Sequence, residues 1–146
     1  MNGYVVDTNV WSELLKPMPD RAVVSWFDAN HDALRMPVTV AMELLYGISR
    51  LPAGSREARL RSAVFSLLDD AAMHLLPYSL AAADEHAGLR ASLEARGFSA
   101  SAEDLQIAAI AKATGRVVAT RNVRDFEAIG VATVDPCSQR PVRPAP

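Results

Sequence analysis

Four acidic residues stand at points where this sequence passes between apolar and polar character. Asp7 closes the run Tyr4-Val5-Val6, and Asp125 follows Arg116-Val117-Val118-Ala119-Thr120. Glu43 and Asp104 lie near the starts of two unusually apolar stretches, Val40 to Ile48 and Leu105 to Ala111. Carboxylates brought together repel and raise one another's pKa values. A divalent cation removes that penalty, and oxygen donors without His or Cys clusters select Mg2+ or Mn2+. Mg2+ takes one or two carboxylates directly, so the remaining acids would hold its waters or a second ion. Such a site suits phosphodiester hydrolysis, where the metal activates water and stabilises charge developing on phosphate. Thr120 and Asn122 can position metal waters or the phosphate, and Arg121 and Arg124 can meet neighbouring phosphates. Each residue also has a plainer reading: Asp7 as a helix cap, Glu43 as a partner of the helix dipole, the arginines as surface charges.

The elements that would position these side chains follow from periodicity and punctuation. Tyr4 to Val6 is a short buried strand, and Asn9 to Lys16 a short helix that Pro17 stops. Pro19-Asp20 opens a helix to about Asn30, and Ala33 to Pro37 is a second strand. Thr39 caps a helix to about Leu51 with an almost wholly apolar face. After Pro52-Ala53-Gly54, an amphipathic helix runs from Ser55 to about Ala72, with Arg56, Glu57, Arg59 and Arg61 on its solvated side. Met73 to Pro77 is a third strand. Ser79 caps a helix to about Arg96, and Ser101 with Asp104 resembles a capping box for the helix Ala102 to Thr114. Arg116 to Thr120 and Val131 to Val134 are the last strands, with a short helix between them. Alternating strands and helices imply an α/β fold: a short, mostly parallel sheet of about four to five strands with helices on both faces. In such a sheet the strand ends and the starts of the following helices share one edge, so all four carboxylates can converge on one cleft.

Composition bounds the function. A chain of 146 residues, 50 % hydrophobic and 22 % charged, is one globular domain. No apolar run reaches the ~18 residues that span a bilayer, and no secretory signal is visible, so a cytoplasmic protein without membrane partners is expected. Cys137 is the single cysteine, which excludes an internal disulfide and a multi-cysteine metal site. A net charge of −2 and a pI near 5.9 argue against a simple basic nucleic-acid-binding module. They do not argue against a nuclease, because a bound cation reverses the local field. Residues 137–146 read as a flexible proline-rich tail on a domain of residues 1–136.

Val5-Val6-Asp7-Thr8-Asn9, Thr39 to Gly47, Asp104 to Ala111 and Thr120 to Phe126 resemble, in order, the motifs of PIN-domain ribonucleases. The likeness is greatest to VapC-type toxins of type II toxin–antitoxin pairs, in the FitB-like branch, and extends from about residue 4 to Pro136. It implies a PIN-like three-layer sandwich and Mg2+- or Mn2+-dependent endoribonuclease activity, with Asp7, Glu43, Asp104 and Asp125 as catalytic, metal-binding acids. Thr8, Asn9, Thr120 and Asn122 match supporting positions. It also implies an RNA substrate, a cognate antitoxin, a homodimer and a larger toxin–antitoxin assembly. Cys137 departs from the aromatic residue common at that point in the branch, and the tail matches no motif.

Other polar residues carry less chemistry. His31, His74 and His86 have no ligand spacing, and no serine has a nucleophile-elbow setting. Asp20, Asp84 and Glu85 suit helix starts, Asp69 and Asp70 a solvated helix end, and Glu13 and Glu103 are expected to be exposed. Two other functions remain open on residue types alone: an Asp-phosphoacceptor regulatory domain and a non-catalytic PIN-like module that binds RNA or protein. With four acids at one site, capping of the first helix falls to Thr8 or Asn9 and the Asp7 carboxylate is left for metal.

Overall fold

The computed structural model describes residues 2–138 and 144–146. Gln139 to Arg143, at the centre of the expected flexible tail, lie outside the described residues. The elements are β1 (Tyr4–Val6), α1 (Thr8–Glu13), α2 (Arg21–Asn30), β2 (Leu34–Pro37), α3 (Val38–Ser49), α4 (Ser55–Ala71), β3 (Leu75–Leu76), α5 (Leu80–Ala95), α6 (Ala102–Ala113), β4 (Val117–Ala119), α7 (Val123–Ile129) and β5 (Thr133–Val134). Short 3-10 turns at His31–Ala33 and Ala72–His74 lead into β2 and β3, which begin later than their apolar runs suggest.

All pairings are parallel, in the order β3-β2-β1-β4-β5. Every residue of β1 and β4 is buried, as a strand covered on both faces requires. Winding proceeds outward from β1 to β3 on one side and through β4 to β5 on the other. The order therefore reverses between β1 and β4, and open parallel sheets bind ligands at the carboxyl edge of such a reversal. Asp7 and Thr120 are the residues that leave those two strands.

Packing fixes that edge from both sides. Leu105 and the unbroken run Ile107 to Ala111 of α6 are buried, and the helix packs against β1, β4, α3, α5 and α7. Opposite, Tyr4, Trp26, Phe27 and Trp11 form edge-to-face ring pairs with centroids 5.0, 5.7 and 5.0 Å apart, tying α1 and α2 to β1. The Trp11 indole N–H donates to the Val6 carbonyl at 3.0 Å, which anchors α1 beside the end of the strand.

Three expectations change. Thr39 does not cap α3: the cap position is Pro37, without a side-chain bond, and the buried Thr39 hydroxyl donates to Gln106 Oε1 on α6 at 2.9 Å. Glu43 consequently lies in the second turn, beyond the reach of the helix dipole. On α3 the apolar face is also less complete than its composition suggests, because Met42 and Tyr46 point outward with 43 % and 61 % exposure. Along α4 only Val64 and Ala71 are fully buried, while Leu60, Leu67 and Leu68 are half-buried.

Candidate active site

Asp7 is nearly sealed from solvent, with 4 % exposure. Oδ1 accepts the Thr8 amide at 2.7 Å, and Oδ2 accepts the Thr120 hydroxyl at 2.8 Å. Asp7 thus caps α1 itself, contrary to the division of labour expected with Thr8 or Asn9. The physical reason is the abrupt end of β1: the chain turns directly into helix after one residue, so Asp7 is the only side chain at the cap position. A carboxylate offers about four acceptor sites, so capping leaves lone pairs free. Burial pushes its pKa up to about 6, against the hydrogen bonds of Thr120 and Thr8 and with help from the charges of Asp104 and Glu43.

Thr8 and Asn9 serve neighbours instead. The Thr8 hydroxyl donates to Glu43 Oε1 at 2.6 Å, joining α1 to α3. Asn9 Oδ1 accepts the Arg121 amide at 3.3 Å, joining α1 to the loop after β4. Glu43 is also shifted upward, by burial first and then by the charges of Asp104 and Glu103, with the Thr8 bond opposing. Asp104 follows suit: burial raises it, the Ser101 hydroxyl opposes, and Asp125 and Glu103 add repulsion. Ser101 caps α6 by accepting the Asp104 amide at 3.1 Å, which presents the Asp104 carboxylate from the first turn.

One cleft of about 470 Å³ contains Asp7, Thr8, Asn9, Glu43, Asp104, Arg121 and Asn122 among its walls. Thr120 is fully buried and acts on the cleft through Asp7, while its oxygen accepts the Asn122 amide at 2.9 Å. Asp125 and Arg124 are exposed and line no part of the cleft; Asp125 reaches it through its charge on Asp104. Three of the four expected acids are therefore brought together, and the fourth stands outside.

Ser12, Glu13 and Lys16 complete the walls, and sequence reasoning passed over them. Glu13, expected to be exposed, is 5 % exposed. It accepts Lys16 Nζ at 2.7 Å, the Asp20 amide at 2.9 Å and Arg121 Nη1 at 2.9 Å. The Lys16 bond contributes most to lowering its pKa, followed by the Asp20 amide. The legible signal was spacing: Asn9, Ser12, Glu13 and Lys16 recur at helical intervals from Asp7, a polar stripe on a short helix otherwise facing the core.

Among the described residues, no three His, Cys, Asp or Glu side chains are gathered closely enough to hold an ion by themselves. The donor chemistry nevertheless fits a hard divalent cation bound through one or two carboxylates and waters. All the acids of the cleft are oxygen donors with upward-shifted pKa values, and none has a cationic partner among the described residues, since Lys16 and Arg121 are held by Glu13.

A model of the PIN domain matches residues 4–132. VapC ribonuclease Y4jK of Sinorhizobium fredii is 39 % identical over 137 residues, covering 90 % of this chain and 96 % of that protein. Toxin FitB of Neisseria gonorrhoeae is 36 % identical over 138 residues, with the same coverages of 90 % and 96 %. Among solved structures, a chain of FitAB bound to an IR36 DNA fragment superposes with a TM-score of 0.86 at 31 % identity, covering 94 % of this chain and 98 % of that one.

Proposed function

The chain belongs to the PIN-domain family, among its VapC- and FitB-type toxins, and on that premise we propose that it is a Mg2+- or Mn2+-dependent endoribonuclease held in check by a cognate antitoxin. The observation that carries the reading is the meeting of Asp7, Glu43 and Asp104, from three separate elements, in one cleft without a counter-charge. A divalent ion bound there supplies an activated water and neutralises charge developing on the scissile phosphate.

The residues of the chain then have distinct tasks. Asp7 and Asp104, at the edges of β1 and α6, hold the cation side of the site, with Glu43 holding its waters. Thr120 fixes one Asp7 oxygen and Thr8 fixes Glu43, so neither carboxylate must reorganise when charge appears. Arg121 and Lys16, pinned by Glu13, give the otherwise acidic cleft a cationic wall for the substrate phosphate. Asp125 tunes Asp104 through its charge and lies outside the coordination shell.

Purified, antitoxin-free protein incubated with structured and unstructured RNA should cut in Mg2+ or Mn2+ and stop in EDTA. Metal-dependent cutting that persists in Asp7→Asn or Asp104→Asn protein refutes the assignment. Label taken from a small phosphodonor without RNA shortening would instead favour the phosphoacceptor reading. The similarity to a FitAB complex on DNA supports an antitoxin partner and assembly on DNA. Light scattering on the free and complexed chain tests that assembly and the homodimer expected from resemblance.

A further inference from the structure

A second depression opens directly from the cleft. The groove between α3 and α4 has a volume of about 1020 Å³ and shares Thr8, Ser12, Lys16 and Glu43 with the carboxylate site. Its walls combine apolar side chains with Arg50, Arg56 and Arg59, none of which has an acidic partner among the described residues. On α4, Glu57 is occupied with Arg61 on the other side of the helix, so Arg56 and Arg59 face the groove unneutralised.

Tyr46 adds an aromatic surface. Its ring is mostly exposed, and the Arg50 guanidinium carbon lies 5.6 Å from the ring centroid, which steadies both groups by cation–π attraction. Glu43, Gly47 and Arg50 follow one helical face, so the rim charge at Arg50 stands about 10 Å along the axis from the carboxylate site. Gly47 lies between them in the middle of α3, where glycine costs about 1 kcal/mol relative to alanine. A Cβ there would meet nothing within 4 Å, so packing inside the chain does not require the glycine. It leaves the groove floor open to something that approaches the helix backbone.

We propose that this groove is the bed of the single-stranded RNA that runs through the cleft, with Arg50, Arg56 and Arg59 meeting its phosphates and Tyr46 stacking on a base. The inference rests on the ribonuclease reading and extends it to substrate class. Charge chooses the occupant: a cationic track with an exposed ring, continuous with a phosphodiester-cutting site, suits an unpaired polyanion. Its unstacked bases can lie on Tyr46, whereas a duplex would keep its bases stacked within the helix.

The test uses the full chain in EDTA, where cutting is off, and a short fluorescein-labelled single-stranded RNA read by anisotropy. Arg56→Gln/Arg59→Gln should weaken binding and lower the slope of log affinity against log salt by about 1.4, the share of two phosphates on a single strand. Tyr46→Ala should weaken it by roughly 5- to 150-fold, the span of one lost base stack. Arg61→Gln, on the other side of α4, should bind as the parent does. In Mg2+, the groove variants should raise KM for long RNA with kcat retained, and should match the parent on a dinucleotide too short to reach the groove. Parent-like binding and KM in all groove variants, from a protein that cuts RNA, overturns the groove while leaving the ribonuclease reading intact. RNA binding lost in the groove variants of a protein that never cuts overturns the ribonuclease reading alone. Groove variants that lose a co-expressed protein partner but keep RNA affinity make the groove a protein-docking site and overturn the proposal.

Discussion

Thr120 and Asp7 are 113 positions apart, yet the Thr120 hydroxyl donates to Asp7 Oδ2 at 2.8 Å across the junction of β4 and β1. The same oxygen accepts the Asn122 amide, so one buried hydroxyl both orients the carboxylate and starts the turn into α7. Thr120→Val keeps the shape and deletes both bonds. It should destabilise the fold by about 1–3 kcal/mol, the cost of leaving buried polar groups unpaired. With the bond that lowers the Asp7 pKa gone, the acid limb of the cleavage profile should move to higher pH, and Thr120→Ser should restore it. An unmoved limb in the valine variant would show that Asp7 does not depend on Thr120.

Asp7 also sets a pH dependence of stability. Its pKa rises from 3.8 in the unfolded chain to about 6 in the fold, so between these values the native state binds the extra proton. Stability therefore falls as pH rises from about 4 through 6, by up to about 3 kcal/mol at 1.4 kcal/mol per unit. Above that window the metal-free protein carries an unfavourable buried charge, which Asp7→Asn removes while keeping the Thr8 cap. Urea melts without divalent ions should find the variant equal to the parent near pH 4 and more stable by about 1–3 kcal/mol near pH 7.5. A variant less stable than the parent at pH 7.5 would contradict this.

The convergence of Asp7, Glu43 and Asp104 was legible because strand ends and helix starts of a parallel sheet share an edge, and each acid sits at such a boundary. Glu13 was not legible in the same way. Its burial depends on Arg121, 108 positions away, and a charged residue on a short helix reads as solvated until that partner is placed. The Asp7 cap was misassigned because the sequence does not reveal how many residues separate the last strand bond from the first helical one. Met42 and Tyr46 were counted as core because apolar periodicity does not distinguish a buried face from an open groove. Asp125 followed the same strand-end rule as Asp7, but the turn after β4 carries it past the cleft.

Glu13 is predicted to support activity without touching the reacting atoms. Its carboxylate is held below the usual range, so its contribution is present at neutral pH and is lost as pH falls through its folded pKa. Glu13→Gln keeps an acceptor for the Asp20 amide but releases the charges of Lys16 and Arg121 from their fixed positions. KM for RNA should rise with kcat changed less, and the salt dependence of KM should alter. Equal loss of kcat and kcat/KM would instead give Glu13 a role in the chemical step.

Asp125 and Asp104 should separate under the same substitution. Asp104 lines the cleft, whereas Asp125 is exposed and acts through charge alone. Asp104→Asn should reduce kcat/KM by more than ~100-fold, beyond the ~10- to 100-fold typical of groups around a metal site. Asp125→Asn should lower the Asp104 pKa by removing a repulsive charge and reduce kcat/KM by about 10-fold or less. Losses of equal size would return Asp125 to the coordination shell.

Cation binding should be coupled to proton release. Asp7, Glu43 and Asp104 all have pKa values shifted upward by burial and by one another, so an arriving Mg2+ competes with protons at the cleft. Apparent affinity should be nearly flat above pH 7 and fall as pH drops through about 6, where Asp7 takes up its proton. At a free concentration a hundred times Kd, binding should stabilise the fold by about 2.7 kcal/mol, which thermal melts resolve. Calorimetry in two buffers of different ionisation heat would count the protons released at pH 6. The count should be positive in the parent and smaller in Asp7→Asn, which has lost the acid whose pKa lies nearest that pH. A titration with no proton release at pH 6 would place the cation elsewhere on the molecule.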